Sequence, residues 1–200
     1  MENEHMELAR KIGRIAFLTG LGLMTMYIIF VYFKYINGWG DNIGYEKIET
    51  YLMKWGEYLA YIITPIGIFV GCLLRNKIIA GVTISLQFIF QIIKTLVFTY
   101  FNSNGNRSIS EALIFIGLYI IAMVIIFLWI KERLSWFFIA MIIMVYALFI
   151  FSIFSKVIAG RNFWLNDRNV HNTFADLMIT IMYVIPFAVL KRIPLDDLMI

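Results

Sequence analysis

Six runs of apolar residues divide this chain: Ile15–Phe33, Tyr58–Leu74, Ile78–Phe101, Ala112–Ile130, Trp136–Val157 and Phe174–Leu190. A bilayer core about 30 Å thick is crossed by about 20 residues of helix rising 1.5 Å each, and every run meets or approaches that length. None alternates with the two-residue period of a barrel strand. Lipid offers the backbone no hydrogen-bond partners, so such runs must close their bonds internally as helices. The predicted fold is all-α, a polytopic membrane protein with six transmembrane helices. Composition agrees. Apolar residues make up 62% of the chain and charged residues 15%, against about 45–50% and about 25% in soluble domains. That excludes a soluble globular domain, a disordered chain and a nucleic-acid-binding module.

The net charge of +4 therefore has to be read against a membrane. Arg10, Lys11 and Arg14 precede the first span. Arg75 and Lys77 fill the short link after the second, Lys131 and Arg133 the link after the fourth, and Lys191 and Arg192 follow the sixth. With six spans these positions share one side. The opposite loops are longer and carry Asp41, Glu46, Glu49, Glu57, Glu111 and Asp167. Basic residues in short loops stay cytoplasmic, so both termini are expected in the cytoplasm of a cell-membrane protein, with a bacterial cell the expected setting.

Trp39, Trp55, Trp129, Trp136 and Trp164 all fall at span ends, where an indole suits the headgroup level. The first span lacks a small-residue cleavage site and reads as an uncleaved anchor. Within Tyr45–Leu59, the residues Tyr45, Ile48, Leu52, Trp55 and Leu59 recur at helical spacing. They suit either a short helix on the outer membrane surface or a plain extension of the second span. Cys72 lies in an apolar run and can form no intramolecular disulfide, because it is the single cysteine.

Polar groups inside a bilayer are costly and usually face a partner or a pathway. Thr83, Gln87, Gln91 and Lys94 share one face of the third span. The two glutamines suit interhelical bonds or a solute path. Lys94 is close enough to the outer end to snorkel. Asp176, Thr180 and Tyr183 share a face of the sixth span, and Asp176 suits a helix cap, a pathway mouth or a pair with Lys94. Glu111 suits a helix N-terminus. Pro65 and Pro186 each remove a backbone donor and invite a kink, and Gly67 with Gly71 permits close helix approach. The sequence contains no phosphate-binding glycine loop, metal-ligand spacing or nucleophile–base set. No enzyme and no cofactor are expected. Asn106-Arg107-Ser108 has the glycosylation form, a triplet that arises easily by chance.

From about Trp55 to Ile200 the chain resembles the PnuC family of vitamin transporters, which carry nicotinamide riboside. Cys72-Leu73-Leu74-Arg75-Asn76-Lys77 followed by Gly81 is similar to a family helix ending in a basic turn. Glu111 to Trp129 is similar to its acid-to-Trp helix, and Asp176-Leu177-Met178-Ile179-Thr180 through Lys191-Arg192 to its Asp-x-x-Thr helix. The resemblance implies a SWEET-like plan of two three-helix bundles joined by a linker helix. The first bundle would be 58–130, the linker 136–157, and 174–190 the start of a second, incomplete bundle, with 15–33 an added span. It further implies facilitated diffusion of a vitamin or nucleoside-like solute, with Tyr119, Asp176 and Thr180 inside its matching helices; the polar faces of the third and sixth spans add Gln87, Gln91, Lys94 and Tyr183 as candidate binding residues. Expected partners are the lipid bilayer, that small-molecule solute, and a second copy or another membrane protein. The competing expectation is a non-transporting membrane protein, an immunity or accessory subunit whose helices bind a partner.

Overall fold

The computed structural model describes residues 2–36, 47–101, 109–131 and 167–190, and every element among them is helical. Helix α1 (Glu2–Val31) runs directly into a π-helical turn, Tyr32–Ile36. Helix α2 (Lys47–Tyr58) continues through a second π-helical segment, Leu59–Ile63, into α3 (Thr64–Leu73). Then come α4 (Lys77–Phe101), α5 (Ile109–Ile130) and α6 (Asp167–Val189). The expected span Trp136–Val157 lies outside the described residues.

Among the described residues, four stretches are long and apolar enough to cross a membrane: His5–Ile36, Lys54–Leu73, Lys77–Val97 and Val170–Val189. Helix α5 adds a shorter apolar stretch, Ile116–Ile130. These coincide with the first, second, third, sixth and fourth sequence runs, so the chain is a helical protein of membrane type.

The α3–α4 connection is built from its own short sequence. The N–H of Asn76 bonds the carbonyl of Gly71 at 2.8 Å, and that of Arg75 bonds Cys72 at 3.3 Å. This is the paired closure that ends many helices with a left-handed residue. Here that residue is Arg75, with φ 51°. Asn76 then turns its side-chain oxygen onto the N–H groups of Ile78 (2.9 Å) and Ile79 (3.2 Å) and caps α4.

Helices α3 and α4 form an antiparallel hairpin along a seam of small residues. A Cβ added at Gly71 would stand 2.8 Å from the Cβ of Ala80 and 2.9 Å from its backbone nitrogen, and one at Gly67 would strike Thr83. At the other end Gly56 of α2 meets the ring of Phe90. The seam thus follows α2, the π-segment and α3 along one unbroken helical backbone. On α2, Gly56 is buried and Leu52 partly buried, whereas Trp55 is 59% exposed.

Helix α5 returns antiparallel to α4, with Ile126 and Ile130 over Gly81. Helices α1 and α6 pack on each other and on α3. One core joins Leu21 and Ile28 of α1, Ile68 and Cys72 of α3, Ile84 and Phe88 of α4, Ile125 and Ile126 of α5, and Met182 and Phe187 of α6. Trp129 stands at the end of α5 as expected but is turned inward, against Phe187 at 4.4 Å between ring centres. The sequence-derived charge pattern has a spatial counterpart. Arg14 reaches the carbonyl of Leu73 at 3.4 Å, so the basic start of α1 lies beside the α3–α4 turn. Contacts of Gly81 with Ile130 and of Trp129 with Phe187 bring the ends of α5 and α6 to the same end of the bundle.

Candidate solute-binding interior

Within the bundle, aromatic and polar side chains meet where α4, α5 and α6 converge. Phe88 of α4 stacks on Tyr119 of α5, with ring centres 5.7 Å apart and planes at 30°. Its other contact is edge-on, with Tyr183 of α6 at 5.6 Å. Phe88 and Tyr183 are buried, and Tyr119 is partly buried. Gln87, beside Phe88, is 2% exposed, and its Oε1 has no hydrogen-bond partner among the described residues. A buried amide oxygen in that state costs about 1–3 kcal/mol.

On α6, Thr180 donates its hydroxyl to the carbonyl of Asp176 at 2.8 Å. The Asp176 carboxylate accepts the phenol of Tyr61, which projects from the π-segment before α3. Tyr183 lies within electrostatic reach of both Asp176 and Tyr119. The expected Asp176–Thr180–Tyr183 face therefore looks into the bundle, towards α3 and α4.

Above this level the tyrosines continue. Tyr61 stacks on Tyr32 at 6.3 Å and 28°, which brings the two π-helical segments together. Tyr27 and His171 share a hydrogen bond of 2.7 Å, and Tyr35 stacks on the same imidazole at 4.9 Å and 13°. Widened π turns shift the facing of every later side chain and recur at functional sites. Here Tyr35 and Tyr61, one from each π-segment, meet His171 and Asp176 of α6.

Of the residues singled out from sequence, Gln87, Tyr119, Asp176, Thr180 and Tyr183 converge on this interior. Gln91 and Lys94 are partly buried, further along α4. The side chain of Glu111 lies outside the described residues. Sequence reasoning missed Tyr61, Thr64, Phe88 and His171. Tyr61 and Thr64 sit one turn apart just before Pro65, a spacing that marks an interrupted helix with polar residues on one side. Phe88 offered no signal beyond its place next to Gln87, and His171 looked like part of a polar flank. No family model, curated protein or solved structure matches this chain.

Proposed function

We propose that the protein is a membrane carrier that moves a small, ring-bearing polar solute of the vitamin or nucleoside type by facilitated diffusion, in keeping with the resemblance to nicotinamide riboside transporters. The observation that carries the reading is Gln87. A helix contact between apolar faces has no use for an amide, and a structural glutamine would place its oxygen on a neighbouring donor. Gln87 instead keeps Oε1 without a partner among the described residues, one position before Phe88, whose ring meets Tyr119 and Tyr183. Planar rings and hydroxyls need stacking surfaces together with a few fixed polar groups. Asp176 and Thr180 add further polarity on the opposing helix.

On this reading a solute separates the stacked rings and bonds Gln87, with Gln91 and Lys94 lining the approach from the α4 C-terminal side. The basic ends face the cytoplasm. Reconstituted vesicles loaded with nicotinamide riboside or with individual nucleosides provide the test. Saturable exchange of labelled solute, lost in Gln87→Leu and Tyr183→Leu, supports the carrier. Absence of exchange for the whole series in the wild type overturns it and returns the chain to the partner-binding class.

A further inference from the structure

Three threonines inside the helices use their hydroxyls in the ordinary way. Thr25, Thr83 and Thr180 donate to the carbonyls of Leu21, Ile79 and Asp176, each four residues back, at 2.9, 2.7 and 2.8 Å. Thr64 does not. It is 0% exposed, and its Oγ1 has no partner among the described residues. The reason lies in the backbone. Four residues before Thr64 is Ala60, inside the π-segment, and the N–H of Thr64 bonds the carbonyl of Leu59, five residues back. The wider turn displaces the carbonyls that a threonine would use. The next residue, Pro65, has no N–H to give to the carbonyl of Tyr61.

The junction from π-helix to α-helix therefore collects oxygen atoms. The Tyr61 carbonyl loses its α-helical donor, and Thr64 Oγ1 is buried with no partner among the described residues. Across the seam, the pairing of Gly71 with Ala80 and Gly67 with Thr83 brings Gln87 within about one helical turn of Thr64. Gln87 Oε1 is likewise buried with no partner among the described residues. The phenol of Tyr61, three residues before Thr64, holds the Asp176 carboxylate.

These groups share one chemistry. All are oxygen acceptors, and one carboxylate supplies a single negative charge. Hard cations take oxygen ligands, and a divalent ion calls for more carboxylate than is present here. Irregular helical backbone inside a membrane bundle is found where it lines an interior that can hold an ion, met there by carbonyl and side-chain oxygens. We infer that the junction at Thr64 binds an alkali-metal cation through Thr64 Oγ1, the Tyr61 carbonyl and Gln87 Oε1, with the Asp176 carboxylate balancing its charge. The ion is a resident of the helix junction. Its binding requires no solute.

The test uses the purified full chain in detergent, with no solute. Thermal unfolding is followed by tryptophan fluorescence while NaCl or KCl replaces choline chloride at constant ionic strength. A ligand that binds only the folded state raises the melting temperature with its concentration. The expected result is a saturable rise of several degrees in an alkali chloride over choline. Thr64→Val keeps the side-chain shape, removes the hydroxyl and is expected to abolish that rise. If Thr64→Val does not fold, sodium NMR of the wild type supplies the reading: excess line broadening that saturates, is displaced by KCl and falls in Asp176→Asn. Identical unfolding in alkali and choline chlorides overturns the inference. So does a full alkali effect in Thr64→Val, or line broadening that Asp176→Asn leaves unchanged. A negative result here leaves solute exchange in vesicles, if observed, untouched.

Discussion

Replacing Gln87 by leucine separates a binding residue from a packing residue, because the two roles predict opposite signs. Gln87 is 2% exposed, and its Oε1 has no partner among the described residues. Leucine has similar length and no polar atom, so the substitution removes the cost of a desolvated, unbonded amide, about 1–3 kcal/mol. The flanking positions on α4 can receive it, since Phe88 and Ile84 are already buried among apolar neighbours. Gln87→Leu is therefore expected to raise unfolding free energy by about 1–3 kcal/mol in choline-based buffer, where no alkali cation contributes. The same change removes a hydrogen bond to solute. One such bond is worth about 1.5 kcal/mol, or about tenfold in affinity.

Unfolding is measured in mixed micelles by tryptophan fluorescence and circular dichroism, and exchange is measured in vesicles at matched protein density. A stabilised protein with weakened exchange fits a residue kept for function at the expense of stability. A protein destabilised by more than about 1 kcal/mol would show that the amide is satisfied in the folded chain, and the argument from Gln87 would fail. Unchanged exchange would remove Gln87 from the solute site.

Other substitutions test the frame around the site. Tyr61→Phe removes the phenol that Asp176 accepts; a bond to a charged group contributes about 1.5–3 kcal/mol, so a loss of that size is expected, measured by the same unfolding assay. Gly71→Ala drives a methyl to 2.8 Å from Ala80 and should cost about 1–3 kcal/mol, whereas Gly117→Ala, inside α5 with nothing within 4 Å of the added carbon, should stabilise by about 0.5–1 kcal/mol. Arg75→Gly relieves a side chain held at φ 51° and is expected to stabilise the α3–α4 turn by about 1 kcal/mol, read from the unfolding midpoint. Cysteines placed at Leu74 and Lys131, in a variant with Cys72 replaced by alanine, should react with impermeant reagent from one side of the membrane, and a cysteine at Ser103 from the other; labelling of all three from one side would refute the six-span arrangement.

Much of the frame was legible because bilayer length and charge placement are strong constraints. The runs ending at Leu74, Phe101, Ile130 and Leu190 match helices to within a few residues. Gly67 and Gly71 announced a close seam and lie in one. The inward face of the sixth span was also readable, because Asp176, Thr180 and Tyr183 are polar in an apolar surround. What remained hidden has a physical cause. In lipid, the outer and inner faces of a helix are both apolar, so composition does not tell them apart. Helix α5 illustrates this: Ile125 and Ile126 are buried while Ile120, Ile121, Val124 and Phe127 are exposed. Nothing in that string marks the difference, and Tyr119 alone hinted at the inner side. The π-segments were equally silent. Pro65 suggested a kink, but not that the irregularity would take the form of a widened turn before it, swinging Tyr61 onto Asp176 and leaving Thr64 without its usual acceptor.

The first turns of α1 have a practical consequence. From His5 to Ala16 every residue is exposed, and Leu21 is the first fully buried residue of that helix. The 30-residue α-helix thus begins as an exposed arm that carries the Glu7–Lys11 ion pair at 2.9 Å and meets the bundle through Arg14, at the carbonyl of Leu73. A rigid helical partner fused in register to this arm would inherit its direction without touching the interior. At 23.4 kDa the protein is a poor particle for electron imaging, with little mass outside the micelle to align. An arm of continuous helix is the geometry that a fused fiducial needs, and it offers a route to images of the junction at Thr64 with sodium and with choline.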